Sequence, residues 1–251
     1  MQQYSPTGFR VLPPVVKNLI IINGLMFLAT LALRNSLGID LNDVLGLKYF
    51  KSTAFEPYQL ITYMFMHGGV EHIFFNMFAL WMFGSVIENY WGPKRFLIFY
   101  FVTGVGAALM QMGVNYIQIS HLQAMMSQEQ ISLVLSEGAK AISEHKNFID
   151  SSMGELNALY NSSTVGASGA IFGLLLAFGM LFPNSMIYMY FLFPIKAKWF
   201  VIGYGLLELY SGFSSSSDGI AHFAHLGGML FGIVLILYWK HKDKNRFFQQ
   251  F

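Results

Sequence analysis

The chain has 251 residues, of which 55% are hydrophobic and only 11% charged, and a mean hydropathy of +0.49; soluble domains carry roughly 25% charge. It reads as a polytopic membrane protein. A net charge of +2 with basic residues scattered among short segments excludes a nucleic-acid surface, and the absence of cysteine excludes disulfides, thiolate catalysis and Cys-based metal sites.

In chain order, Met1 to Pro14 is polar and proline-bearing, with no cleavable signal apparent. Windows of about 19 to 20 apolar residues then predict six spans, near Val15 to Leu33, Val70 to Tyr90, Phe96 to Tyr116, Val165 to Phe182, Trp199 to Phe213 and Ile220 to Trp239. The apolar run Met186 to Phe193 is interrupted by Pro194, Lys196 and Lys198, and reads as a turn or interfacial stretch before the fifth span. Ile117 to Ser163 is the one long polar interruption. Its apolar residues, among them Leu122, Met125, Met126, Ile131, Leu135, Ala139 and Ile142, recur at helical spacing, so a helical extracytoplasmic insert is expected, its amphipathic pattern reporting packing.

Lys/Arg counts set the orientation. Arg10, Lys17, Lys94, Arg95, Lys196, Lys198, Lys240, Lys242, Lys244 and Arg246 fall on one side; Arg34, Lys48, Lys51, Lys140 and Lys146 fall on the other. Both termini are therefore expected in the cytoplasm, with residues 1–14 and 240–251 as tails and 15–239 as the membrane domain, the insert being 117–163. No internal repeat or second domain is visible.

This topology sends the even-numbered spans from outside to inside, so residues near their N-termini share one leaflet. His72 and Asn76 lie early in span 2, Ser168 in the first turn or so of span 4 and His225 early in span 6. His72 and Asn76, four apart, occupy one helical face. They suit donation to a single anionic oxygen, as do the free N–H groups of the first turn of span 4. Gly169 with Gly173, and Ala224 with Gly228 and Gly232, form small-residue stripes of the kind that let membrane helices touch. Taken singly, a Ser among glycines also suits plain packing, and a membrane His a structural hydrogen bond; the conjunction at one depth favours a nucleophile and a base. His67 and His222 read as structural or interfacial. Trp81, Trp91, Trp199 and Trp239 read as packing or belt residues, and Glu88 and Glu208 as helix-end or interhelical hydrogen-bonding groups.

At these residues the chain resembles the rhomboid family of intramembrane serine proteases. Gly166-Ala-Ser-Gly169 is similar to the family's Gly-x-Ser-Gly, Ala224-His-Leu-Gly-Gly228 to its Ala-His-x-x-Gly, and His72-Ile-Phe-Phe-Asn76 to its His-x-x-x-Asn. Glu56-Pro-Tyr-Gln, His67-Gly-Gly and Glu88-Asn-Tyr-Trp-Gly92 agree as well. The resemblance implies an all-α, six-transmembrane-helix bundle in a bacterial inner membrane, with Ser168 as nucleophile and His225 as base of a two-member site without an acid. It further implies His72, Asn76 and the Ser168 N–H as oxyanion donors, with Gly166 at the oxyanion hole leaving room for substrate backbone, and Phe172 where relatives stack a Tyr on the His. Transmembrane protein substrates and the bilayer are the expected partners, with no cofactor, metal or nucleic acid.

Among rival classes, an intramembrane metalloprotease needs a His-Glu-x-x-His or equivalent set, and His222-x-x-His225 has no carboxylate near it in sequence beyond Asp218. A transporter calls for inverted repeats or midplane charge pairs. A non-proteolytic rhomboid-like protein that binds or chaperones transmembrane segments is the remaining alternative. The loop Ser211 to Gly219, rich in Gly and Ser, reads equally as a plain linker between spans or as a flexible lid with Phe213 as its plug.

Overall fold

The computed structural model describes residues 8–189, 193–214 and 220–248, with side chains as far as Asp243 apart from that of Met189. Helix α1, Pro14–Leu37, opens on a proline at its first position, where the missing N–H is no loss, and stops at Gly38. Two short helices, α2 (Leu41–Leu45) and α3 (Gln59–Thr62), and the 3₁₀ turn Tyr63–Phe65 occupy the following loop. Next come α4 (Val70–Ala79) and α5 (Ser85–Trp91), joined through a π-helical turn at Leu80–Gly84 into one continuous rod.

Helix α6, Pro93–Met125, has 33 residues and is roughly 50 Å long, well beyond the ~30 Å hydrocarbon core of a bilayer. Its projecting end carries α7 (Gln128–Ser143), begun by a Ser127/Gln130 capping box, and α8 (Ser151–Asn161), capped by Asp150. These helices close a small second core of Tyr49, Ile119, Leu122, Val134, Met153 and Leu156. The third span thus overruns its expected end near Tyr116, because Ile119 and Leu122 continue the apolar face into this core and no helix breaker intervenes. The rest of the chain comprises α9 (Ser168–Leu181), the strands β1 (Met186–Met189) and β2 (Phe193–Lys196), α10 (Ala197–Phe213) and α11 (His222–Phe248).

The strands pair antiparallel, Met186 opposite Lys196 and Met189 opposite Phe193. The fold is therefore mostly helical rather than all-α: the stretch expected to be a turn or interfacial segment is a hairpin. Its backbone groups find partners across the strand pair, and the Ala197 N–H donates to the Ser185 carbonyl at 2.8 Å where α10 begins.

Among the described residues, four helices are long and apolar enough to cross a membrane: Pro14–Leu37, Val70–Trp91, Pro93–Met125 and His222–Asp243. The chain is an integral membrane protein. Helix α9, 14 residues long, is shorter but uniformly apolar and buried continuously from Gly169 to Ala177. A helix hydrophobic all round belongs inside a bundle, and α9 is the central post, touching α6, α11, α10 and the α4–α5 rod.

Contacts define two ends of the bundle. At one, the Glu88 carboxylate accepts the Val15 and Val16 N–H groups at 3.0 and 2.8 Å, using two of the donors that the start of α1 leaves unpaired. There too Arg95 makes a two-pronged pair with Asp243 at 2.9 and 2.8 Å. At the other end Leu47 and Thr164 exchange backbone hydrogen bonds at 2.9 Å, and the Lys48 Nζ donates to the Asn161 carbonyl at 2.7 Å. Burial lowers the Lys48 pKa, against the opposing pull of Asp43. Thr164 lies four residues before Ser168, so the start of α9 belongs to this second end.

Candidate active site

The chain enters α9 through Gly166, whose φ of +128° lies where only glycine is unstrained. A Cβ there would also sit 2.8 Å from the Nε2 of His72. The Gly166 N–H donates to the Tyr63 carbonyl at 2.9 Å, and the first bond of the helix runs from the Ile171 N–H to the Ala167 carbonyl at 3.0 Å. The N–H groups of Ser168, Gly169 and Ala170 consequently have no acceptor within the helix, and the positive end of its dipole lies beside the Ser168 hydroxyl.

His225 stands in the first turn of α11, its Nε2 2.8 Å from the Ser168 Oγ. Gly228, one turn further on, explains how the two helices come so close: a side chain there would run into the Gly169 carbonyl oxygen. The small residues of α9 itself serve another neighbour. A Cβ on Gly169 would meet Ala107, and one on Gly173 would meet Thr103, both on α6. The expected two-helix seam is thus a three-helix one, since α6 wedges against α9 and α11 together. Phe172 lies flat on the His225 ring, centroids 4.1 Å apart and planes 6° from parallel, with Tyr204 stacked on Phe172 in turn at 5.3 Å.

Behind the imidazole the structure holds a group that sequence reasoning had set aside. The Glu208 Oε2 lies 2.8 Å from the His225 Nδ1 and 2.7 Å from the His222 Nδ1. Glu208, His222 and His225 are 6%, 9% and 8% exposed, so their polar atoms need partners within the protein, and the carboxylate serves both rings. An ionised carboxylate only accepts; facing it, both rings present Nδ1–H, and His225 keeps the Nε2 lone pair for the Ser168 hydroxyl. A carboxylate thus stands beside both rings, where the sequence reading has a two-member site and no acid near the two histidines in sequence beyond Asp218. Sequence distance concealed it, because Glu208 comes from the preceding helix. The available signal was the carboxylate itself: an ionisable residue in an apolar span is a functional candidate by default. Asp218, the acid nearest in sequence, lies outside the described residues.

Glu208, His222 and His225 also offer three donor atoms within 4.8 Å of one another, enough to hold a metal ion. Of the three, only His225 lines the cavity described next.

A cavity of about 1130 Å³ opens beside Ser168 and is lined by His72, Asn76, Gly166, Ser168 and His225, together with apolar side chains of α4, α9 and α10 and polar ones that include Glu71, Gln111, Asn115 and Glu155. The His72 Nδ1 accepts from the Gly68 N–H at a long 3.4 Å, which assigns the ring proton to Nε2, beside Gly166. Asn76 donates one amide hydrogen to the His72 carbonyl at 3.0 Å and retains the other. His67, 2% exposed, packs edge-on against His72 at 5.0 Å. Burial and the neighbouring His72 push its pKa down to about 3, so it is neutral at ordinary pH. Phe213 does not line the cavity: it closes α10 at 74% exposure, its ring edge-on to Phe223 at 5.5 Å. Its apolar contact is with α11, so it is no plug. The remainder of this loop, residues 215–219, lies outside the described residues.

A serine hydroxyl hydrogen-bonded to an imidazole inside a helical membrane bundle narrows the class, and comparison supplies the family. A family model of the rhomboid domain matches residues 54–242: the chain belongs to the rhomboid family. It is similar to RHOMBOID-like protein 12, mitochondrial, of Arabidopsis thaliana, 26% identical over 93% of this chain and 60% of that protein. It is also similar to Rhomboid-like protein 11, chloroplastic, of the same plant, 29% identical over 71% of this chain and 51% of that one. The Rhomboid protease GluP of Bacillus subtilis is 35% identical over 54 residues, 22% of this chain and 11% of that protein. The chain spans roughly half the length of the plant relatives.

Proposed function

We propose that the chain is an intramembrane serine endopeptidase that cleaves transmembrane segments of membrane proteins. The observation that carries the reading is the 2.8 Å contact between the Ser168 Oγ and the His225 Nε2 at the wall of the cavity. In the proposed reaction His225 takes the Ser168 proton as the oxygen attacks the scissile carbonyl. The negative charge that develops is met by the Ser168 N–H, by the Nε2–H of His72 and by the free amide hydrogen of Asn76, with Gly166 leaving the substrate room to approach. The leaving amine departs with the proton from His225. Water then repeats the sequence against the acyl-enzyme.

In this reading α1, the α4–α5 rod, α6, α9, α10 and α11 are six spans of a membrane domain at residues 15–239. The tails 1–14 and 240–251 lie in the cytoplasm, and the insert 117–163, with α7 and α8, lies on the opposite side. Charge bias supports the orientation, as does the gathering of Arg10, Arg95 and the far end of α11 at one end of the bundle. The expected bacterial inner membrane gains no support from the relatives, several of which are named mitochondrial or chloroplastic.

A second reading, a metal-dependent peptidase, rests on the Glu208, His222 and His225 cluster. It is disfavoured because a catalytic metal needs an open coordination position facing substrate, whereas Glu208 and His222 lie away from the cavity. Purified protein treated with a fluorophosphonate probe and with a model transmembrane substrate decides among the readings. Serine chemistry gives labelling at Ser168 and cleavage, both indifferent to chelator. Chelator-sensitive cleavage supports the metal; no labelling and no cleavage supports a non-proteolytic binder of transmembrane segments.

A further inference from the structure

We infer that Glu208 is a positioning residue for the base, extending the Ser168–His225 pair into a Ser-His-Glu relay that His222 steadies from behind. The inference rests on the serine-protease reading above. An imidazole has two ring nitrogens, and the one that accepts a serine proton must begin without its own hydrogen. Stacking on Phe172 fixes the plane of the His225 ring but does not choose between its tautomers. The Glu208 oxygen does so, because 2.8 Å from Nδ1 it requires a proton on that nitrogen and leaves Nε2 bare toward the Ser168 Oγ. When the Ser168 O–H bond breaks and the Nε2–H bond forms, the ring becomes an imidazolium whose second N–H already donates to a carboxylate, which need not itself take a proton.

His222 completes the arrangement. Its Nδ1 lies 2.7 Å from the same oxygen, three residues before His225 on one face of α11. The oxygen therefore has two donors from one helix and cannot turn away without losing both. Glu208 is also one of only three buried residues of α10, with Ala197 and Val201, so it gives this thinly packed helix its polar anchor on α11.

The test compares Glu208→Gln, His222→Phe and the double variant with wild type, reading kcat and KM on a transmembrane substrate, the thermal transition, and the rate of fluorophosphonate labelling at Ser168. Glutamine has the same shape, but turning its NH2 toward Nδ1 stabilises the tautomer that cannot accept the serine proton. The expected result is a kcat lower by up to roughly 10⁴, the loss on converting the acid of a Ser-His-Asp site to its amide, with KM and the thermal transition unchanged and labelling slowed in parallel. His222→Phe is expected to cost less than about tenfold, and the double variant no more than Glu208→Gln alone, since His222 acts through the carboxylate. A Glu208→Gln kcat within threefold of wild type would overturn the inference while leaving the serine reading intact. A loss confined to KM or to thermal stability, or additive losses in the double variant, would also overturn it. Wild type that fails to label at Ser168 overturns both.

Discussion

Helices α9 and α10 carry the two groups that meet at the His225 ring, and they are held in opposite ways. Ten of the 14 residues of α9 are buried, with α6, α11, α10 and the α4–α5 rod around it. Of the 17 residues of α10 only Ala197, Val201 and Glu208 are buried, while Trp199, Leu206, Leu207 and Tyr210 are 54 to 72% exposed. In water such a surface would be costly. In the proposed six-span arrangement it faces lipid and is not costly, because acyl chains solvate leucine as well as another helix does, so a few contacts suffice to hold α10. The helix that carries Ser168 is therefore fixed by packing, and the carboxylate behind His225 by hydrogen bonds. The two helices should differ accordingly in what breaks them.

The largest effect should come from the α9–α11 contact atoms themselves. Ser168→Ala and His225→Ala are each expected to reduce cleavage by at least about 10⁴-fold, neither adding to the other, because the two act as a unit. The thermal transition should be unmoved in Ser168→Ala. Residual activity in either variant within a hundredfold of wild type would sink the pairing. Next, Gly228→Leu forces a side chain against the Gly169 carbonyl; cleavage should be lost and the thermal transition lowered, overpacking costing about 1 to 3 kcal/mol. A Gly228→Leu protein as stable and active as wild type would mean that this seam tolerates separation.

Removing one oxyanion donor by His72→Ala or Asn76→Ala should lower kcat about 10² to 10³, or 2.7 to 4 kcal/mol, with stability nearly preserved. Full-rate cleavage would remove that residue from the set. The smallest effect belongs to the lipid-facing side of α10: Leu206→Ala and Leu207→Ala should shift stability by no more than about 0.5 kcal/mol. A large loss there, in thermal unfolding or in cleavage, would show that α10 is gripped by more than its three buried residues.

The sequence exposed the two kinds of attachment unequally. Four of the six expected spans, the small-residue contact at Gly228 and the four polar groups on the cavity wall were legible, because hydropathy and spacing along one helix carry them. The role of α6 in the seam was not, since the glycines of α9 look alike whichever neighbour they accommodate. Glu208 was rightly read as an interhelical hydrogen-bonding group, but its partners were hidden: they are fourteen and seventeen residues away on another helix, a distance over which periodicity says nothing. The hairpin at Met186–Lys196 was hidden by the proline and lysines that made the segment look like a loop, and the length of α6 by a second core that forms only when Tyr49 and α8 arrive.

The π turn at Leu80–Gly84 gives the α4–α5 rod a further property. A π turn places one surplus residue within a helical circuit, which displaces the phase of everything after it by roughly 100°. Ahead of the turn, His72 and Asn76 look toward the cavity; beyond it, Glu88 looks toward the start of α1. One rod thus works like a shaft with two cams, whose relative angle is set by a single amino acid. Excising one residue of Leu80–Gly84 would leave each cam chemically intact and mistimed, so that restoring Glu88 to α1 would rotate His72 and Asn76 away from Ser168, and holding those two in place would strip the start of α1 of its acceptor.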